Sequence, residues 1–201
     1  MTGTVNGISP LTGPAGIAGR ILTVTIEPTG SEVAPLQLCS AATEAAHAGD
    51  VIVIEHRRRA DAAGWGGILS NAAKVQGIAG VVVDGAARDI DKARGIGFPV
   101  FARAAVASTA RGRVAEYATN APIVVGGVTV KPGDMVIAGG SGAVFIKAER
   151  AAEGDRGGAG HCRPRSRHGG GRRRAGHQGA GAQLRSDAGP QEIAGREIYH
   201  I

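Results

Sequence analysis

The sequence has few of the features that would indicate a membrane protein, a disulfide framework or an aromatic core. Aromatic residues make up only 3% of its 201 residues, so the core must be built from Val, Ile, Leu and Ala. Two cysteines, Cys39 and Cys162, are too few for a disulfide framework. Cys39 lies in an apolar stretch, which predicts a buried thiol. Since no apolar run reaches the roughly 18 residues of a membrane span and no secretory signal is visible, we expect a cytoplasmic protein.

The formal net charge of +6 is unevenly distributed along the chain. Residues 1–153 contain 14 basic and 13 acidic residues, whereas residues 154–201 contain 9 and 4. The basic character therefore belongs to the C-terminal segment. We interpret 1–153 as one folded domain and 154–201 as a separate Gly/Arg-rich tail.

The tail, residues 154–201, is rich in Gly and Arg and shows no apolar periodicity. Such a segment cannot bury enough apolar area to offset the entropy lost on ordering. It could be a disordered appendage, an Arg/Gly-rich tail that binds nucleic acid, or the out-of-frame end of a GC-rich coding sequence. We favour the third interpretation, and we expect nucleic-acid binding only if it occurs through this tail.

Apolar strand patterns alternate with helical patterns through the first half of the chain, which predicts the α/β class. Buried strands are predicted at 21–26, 51–55, 80–84 and 100–102, and helices at 36–46, 67–76 and 90–95. Later strands are predicted at 123–125, 128–130, 135–138 and 144–146, the first two joined by a Gly-Gly hairpin turn. Residues 1–19 are interpreted as an irregular lead-in, and the third strand is expected to end in a turn at Gly85.

Arg88 and Asp89 directly follow the third predicted strand. Ligands of α/β sheets usually bind at the carboxyl ends of the strands. The guanidinium of Arg88 suits carboxylates and carbonyl oxygens, and the carboxylate of Asp89 is a hard oxygen ligand that suits Mg²⁺ or Mn²⁺. The pair predicts a small oxo acid bound beside a divalent cation. In the competing interpretation, Asp89 is only the N-cap of the helix at 90–95.

A Gly-containing loop at Gly66 and Gly67 leads into the helix predicted at 67–76. The first turn of a helix exposes unpaired N–H groups and the positive end of the helix dipole. Two glycines allow a ligand to approach this backbone closely. The loop therefore predicts a carboxylate site, although Gly at a helix start is also common for packing alone.

Several separated sequence blocks resemble the RraA-like family, which includes class II 4-hydroxy-4-methyl-2-oxoglutarate aldolases and oxaloacetate decarboxylases. The resemblance runs from about Gly7 to Ile146. The blocks, in order, are GISPL at 7–11, AGDVIVI at 48–54, WGGIL at 65–69, GVVVDGAARDID at 80–91, GFPVFAR at 97–103 and GGVTVKPGDMVIA at 126–138.

The resemblance implies a swivelling β/β/α domain that assembles as a homotrimer or hexamer. It also implies that Arg88 binds the keto-acid end of a substrate and that Asp89 holds Mg²⁺ or Mn²⁺. The residues that would bind the substrate, mainly through backbone N–H groups, are Gly66, Gly67, Ile68 and Leu69. The chain departs from the family at two positions, because some members carry an acidic residue in place of Gly67 and many carry one in place of Lys92.

The expected function is that of a metal-dependent lyase with catalytic residues Arg88 and Asp89. It would cleave 4-hydroxy-4-methyl-2-oxoglutarate to pyruvate, decarboxylate oxaloacetate, or do both. The alternative is a non-catalytic regulator that binds a ribonuclease, as other proteins of this fold do. The related ribonuclease inhibitors lack the Arg-Asp pair, so its presence favours the enzyme.

Overall fold

The computed structural model describes residues 3–13, 16–29 and 38–151. All of them lie in the predicted domain 1–153, whereas the predicted tail and Cys162 lie outside the described residues. The helices are α1 (Ser40–Ala45), α2 (Gly67–Val75) and α3 (Ile90–Gly95). The strands are β1 (Gly3–Val5), β2 (Ser9–Pro10), β3 (Ile17–Pro28), β4 (Val51–Glu55), β5 (Gly80–Ala87), β6 (Val100–Ala105), β7 (Val114–Thr119), β8 (Ile123–Val125), β9 (Val128–Val130), β10 (Met135–Gly139) and β11 (Gly142–Ile146).

Four parallel strands, in the order β3-β4-β5-β6, form the centre of the main sheet. In the register of these strands, Val51 of β4 lies opposite Ile21 on one side and Gly80 on the other. The helices α1, α2 and α3 each connect two consecutive parallel strands, as parallel pairing requires. This alternation confirms the predicted α/β class.

Antiparallel strands extend the sheet at both ends of the long strand β3. Its first residues pair with β10, which is followed by β11 and β1, and its last residues pair with β7. At the other edge β2 pairs with β6, while β8 and β9 form the predicted hairpin. The irregular lead-in expected at 1–19 is therefore wrong, because β1, β2 and the start of β3 lie there. These residues obtain their strand partners from distant segments.

The two faces of the parallel strands carry two separate apolar clusters. Ile52 and Ile54 of β4 face the helix side, where Trp65 and Phe98 also lie. Val51 and Val53, which alternate with them along β4, face a second β layer built from β1 and β8–β11. The core is mainly aliphatic, as the composition predicts. Cys39 is fully buried, and burial raises its pKa well above the usual range, which confirms the predicted buried thiol.

None of the helices in the described ranges has the length and hydropathy needed to cross a bilayer.

The sequence pattern predicts that the third strand ends in a turn at Gly85, and this prediction is wrong. Strand β5 continues to Ala87 with a change of register against β6. Gly85 lies against the buried ring of His56, where an added Cβ would overlap the imidazole. The ring nitrogen Nε2 of His56 donates to the carbonyl of Ala62 at 2.8 Å, and burial lowers the pKa of this histidine. Close packing against His56 thus requires glycine at this position, and Gly85 is an interior residue of the strand.

Gly85→Ala is expected to lower the free energy of unfolding by about 1–3 kcal/mol through overpacking. Its Cβ would meet the His56 ring and would lie 2.9 Å from the backbone oxygen of Arg59. Urea denaturation measures the change. The matched control is Gly95→Ala at the end of α3, where the added Cβ meets nothing within 4 Å, so no loss is expected. Equal stability of the two variants would contradict this account of Gly85.

Candidate functional site

The candidate site lies at the carboxyl ends of the neighbouring parallel strands β4 and β5. The chain leaving β4 reaches α2 at Gly67, and the chain leaving β5 continues directly into Arg88 and Asp89. Two backbone hydrogen bonds join these segments, from Gly64 N to Ala86 O at 2.8 Å and from Arg88 N to Trp65 O at 2.9 Å. The two parts of the predicted site therefore meet at the sheet edge where α/β proteins usually bind ligands.

Trp65 fixes the start of α2. Its indole Nε1 donates to Ser70 Oγ at 2.9 Å, and that hydroxyl donates to Gly66 O at 3.0 Å. The buried indole also stacks on Phe98, with ring centroids 6.1 Å apart. These contacts hold the Gly66–Gly67 backbone in one position, so its N–H groups have a defined direction.

Asp89 has an unusual backbone conformation and an unexpected partner. It is in the left-handed region, with φ 56° and ψ 38°, which costs roughly 1–2 kcal/mol and is commoner for Asp than for most residues. Asp89 occupies the N-cap position of α3, but its side chain makes no capping bond there. Instead, Oδ2 accepts the N–H of Gly67 at 3.0 Å. Its structural role is therefore at the start of α2.

The guanidinium of Arg88 forms an ion pair with this carboxylate but no hydrogen bond. Nε of Arg88 is 3.6 Å from Oδ2 of Asp89, and about a third of the Arg88 side chain is exposed. A Cβ added at Gly66 would lie 3.3 Å from the same nitrogen, so the side chain packs closely over the glycine. Among the described residues no hydrogen bond uses the Arg88 side-chain donors, which leaves them available to a ligand.

One cavity of about 220 Å³ brings together all six residues predicted for the site. They are Gly66, Gly67, Ile68, Leu69, Arg88 and Asp89. The remaining wall is supplied by Leu38, Ala63, Trp65, Thr109 and Ala110. Of these, only Trp65 belongs to a sequence block described above, WGGIL at 65–69, and no spacing in the sequence connects Leu38 or Thr109 with the site. The cavity has room for a small molecule only, since pockets for drug-sized ligands are larger, about 300–1,000 Å³.

The donor set of this cavity fits a metal ion held mainly by water and substrate. Asp89 is the only acidic residue among those that the structure describes in the cavity wall, and no group of three or more His, Cys, Asp or Glu in the described ranges could hold a metal ion. Mg²⁺ commonly keeps several waters and binds one or two carboxylates. The partly exposed carboxylate of Asp89 can act as such a single ligand.

A larger cavity, of about 300 Å³, lies at the amino ends of β3 and β4 and is lined by Arg20, His47 and Asp50. Arg20 donates to both oxygens of Asp50, at 3.1 and 2.9 Å. Burial alone would raise the pKa of Asp50, but the bonds from Arg20 and the His47 amide lower it. Because each charge is satisfied within the protein, we assign this cluster to structure.

Comparisons with known proteins agree with the fold. A family model described as "RraA-like: Aldolase/RraA" matches residues 1–145. A Halalkalibacterium halodurans protein named "Putative 4-hydroxy-4-methyl-2-oxoglutarate aldolase" is 35% identical over 150 residues, covering 73% of this chain and 67% of that protein. Protein DlpA of Legionella pneumophila is 34% identical over 103 residues, covering 51% of this chain.

The solved structure of Streptomyces coelicolor RraAS2, described as an unusual member of the RNase ES inhibitor RraA protein family, matches with a TM-score of 0.69. It is 28% identical, with 75% of each chain covered. This match confirms the expected swivelling β/β/α fold. The chain spans only 17% of DlpA, so similarity to that protein concerns one part of it. The family model, by contrast, covers most of the described residues, and this chain belongs to the RraA-like family.

Proposed function

We propose that this protein is a divalent-metal-dependent lyase that releases pyruvate from a small 2-oxo acid with a second carboxyl group. The substrate would be 4-hydroxy-4-methyl-2-oxoglutarate, oxaloacetate, or both. One observation carries the proposal: Arg88, Asp89 and the start of α2 line one small cavity at the carboxyl edge of the parallel sheet. Similarity to the H. halodurans protein supports the same chemistry.

The cavity offers two kinds of group to the keto-acid end of such a substrate. Arg88 presents free guanidinium donors, which suit the carboxylate and keto oxygens. Ile68 and Leu69 precede the first intrahelical bond of α2, from Ser70 N to Gly66 O, so their amides lack intrahelical acceptors. Because Asp89 already accepts the Gly67 amide, the substrate carboxylate would use the following two amides.

In the aldol cleavage, the C4 hydroxyl loses its proton and the C3–C4 bond breaks. The electron pair passes to the C2 carbonyl, giving the pyruvate enolate, which is then protonated at C3. In decarboxylation the same bond breaks and CO₂ leaves. Arg88 would stabilise the negative charge that develops on the keto oxygen. A Mg²⁺ or Mn²⁺ ion held by Asp89 would supply Lewis-acid polarisation of the keto-acid oxygens.

A pyruvate-release assay tests the proposed function. The full chain is incubated with each of the two substrates in the presence of Mn²⁺, after chelation, and after Mn²⁺ is restored. We expect pyruvate release that is lost on chelation and recovered on addition of the metal. If neither substrate yields pyruvate above the protein-free rate with Mn²⁺ present, the proposed function is wrong.

A homotrimer or hexamer is part of this proposal, because the family resemblance implies it. Ile68 and Val75 of α2 are 74% and 81% exposed, and Ile68 also lines the cavity. Large apolar side chains exposed beside a site suggest that another subunit covers them.

The second candidate is a non-catalytic regulator that binds a ribonuclease. It is favoured by the structural match to RraAS2, which belongs to a ribonuclease inhibitor family. Inhibition of a purified ribonuclease E-type enzyme by this chain, together with no pyruvate release, would support the regulator over the lyase.

A further inference from the structure

Lys92 lies beside the cavity, because its side chain packs against Gly67 of the cavity wall. It lies on α3, three residues after Asp89, and the side chains of both residues pack against Gly67 at the start of α2. A Cβ added at Gly67 would lie 2.8 Å from Cδ of Lys92. The aliphatic stem of Lys92 therefore crosses the start of α2, and it can do so because Gly67 has no side chain.

The ammonium group of Lys92 has no partner within the described part of the chain, and the residue is exposed. The other lysines and arginines of the neighbouring helices differ in this respect. Lys74 donates to Gly97 O at 3.2 Å, and Arg94 forms an ion pair with Asp91. Lys92 is thus a free cation whose stem is fixed beside the cavity.

The cavity wall leaves few places for a second carboxylate. Among the described residues of the wall, Arg88 is the only cationic one, and it is required at the keto-acid end of the proposed substrate. Apart from Thr109 and the backbone at the start of α2, the rest of the described wall is apolar and includes Leu38, Ala63, Trp65, Leu69 and Ala110. A carboxylate placed against that surface would lose water without gaining a partner, which is costly.

We infer that Lys92 determines specificity by binding the second carboxylate of the substrate, so that the site selects dicarboxylic 2-oxo acids over their monocarboxylic counterparts. The inference rests on the proposed function and deepens it. The ammonium lies two bonds beyond Cδ, and it receives the distal carboxylate at the rim, where water still reaches both groups. Lys92 therefore contributes to recognition of the substrate and not to the breaking of the C3–C4 bond.

Two matched substrates test this inference. The first is 4-hydroxy-4-methyl-2-oxoglutarate, and the second is 4-hydroxy-4-methyl-2-oxopentanoate, in which a methyl group replaces the second carboxylate. Lys92→Met is expected to lower kcat/KM for the dicarboxylate roughly tenfold, the lower end for a hydrogen bond to a charged group. The effect should be in KM, and kcat/KM for the monocarboxylate should be unchanged. Lys92→Arg should retain most of the preference for the dicarboxylate over the monocarboxylate.

Lys74→Met is the control, because it removes a lysine from the far end of α2, away from the cavity wall. It is expected to leave both substrates unaffected. An unchanged preference in Lys92→Met, or an equal loss for both substrates, would overturn the assignment while pyruvate release still upheld the proposed function. Absence of pyruvate from both 4-hydroxy-4-methyl-2-oxoglutarate and oxaloacetate with the unmodified chain would overturn the proposed function, and this inference with it.

Discussion

Asp89→Asn is expected to abolish metal-dependent pyruvate release while leaving the fold intact. The amide keeps an oxygen acceptor for the Gly67 N–H, which Asp89 now binds at 3.0 Å, and Asn tolerates the left-handed backbone as well as Asp does. Only the negative charge is lost. Since loss of an outer-sphere partner already costs 10- to 100-fold in metal affinity or activity, loss of the proposed carboxylate ligand should cost more than about 100-fold.

The control for this change is Asp91→Asn. Asp91 lies two residues away on α3, is 97% exposed and pairs with Arg94. The Asp91→Asn variant should keep full activity and full affinity for Mn²⁺. Calorimetric titration with Mn²⁺ measures binding independently of turnover. Undiminished Mn²⁺ binding and activation in Asp89→Asn would limit Asp89 to its structural role at the start of α2.

Arg88→Lys is expected to lower kcat/KM roughly 30- to 1,000-fold. This corresponds to about 2–4 kcal/mol of lost transition-state stabilisation, the cost of losing one donor to a developing oxyanion. Lysine keeps the charge but not the planar fork of donors. The guanidinium of Arg88 lies beside Asp89 without a hydrogen bond to it, so the substitution should disturb the free protein little. Steady-state kinetics on both proposed substrates measure the effect.

Arg94→Lys is the matched control, because Arg94 also lies on the segment after β5 but pairs with Asp91 and with Leu11 O. The activity of the Arg94→Lys variant should match that of the unmodified chain. If Arg88→Lys also kept nearly full activity, the geometry of the guanidinium would be irrelevant and the assignment of Arg88 would be wrong.

Local patterns in the sequence predicted the parallel centre of the fold. Strands β4 and β5 and helices α2 and α3 begin at the predicted residues, because each has its own periodicity and a nearby start or stop signal. Strands β1, β2 and β7 were missed. Strands β1 and β2 have only three and two residues, and β7 is weakly patterned. All three pair with segments far away in the chain, so no local signal marks them.

The sequence by itself determined which residues could form the site. Arg88 and Asp89 had to follow a strand, and Gly66 to Leu69 had to begin a helix, because neighbours in the chain fix these relations. Only the tertiary structure decided that Asp89 Oδ2 accepts the Gly67 N–H across 22 residues. It also decided that the stem of Lys92 crosses Gly67 and that Leu38 and Thr109 complete the wall. Such contacts depend on how distant segments pack, and packing leaves no periodic trace in the sequence.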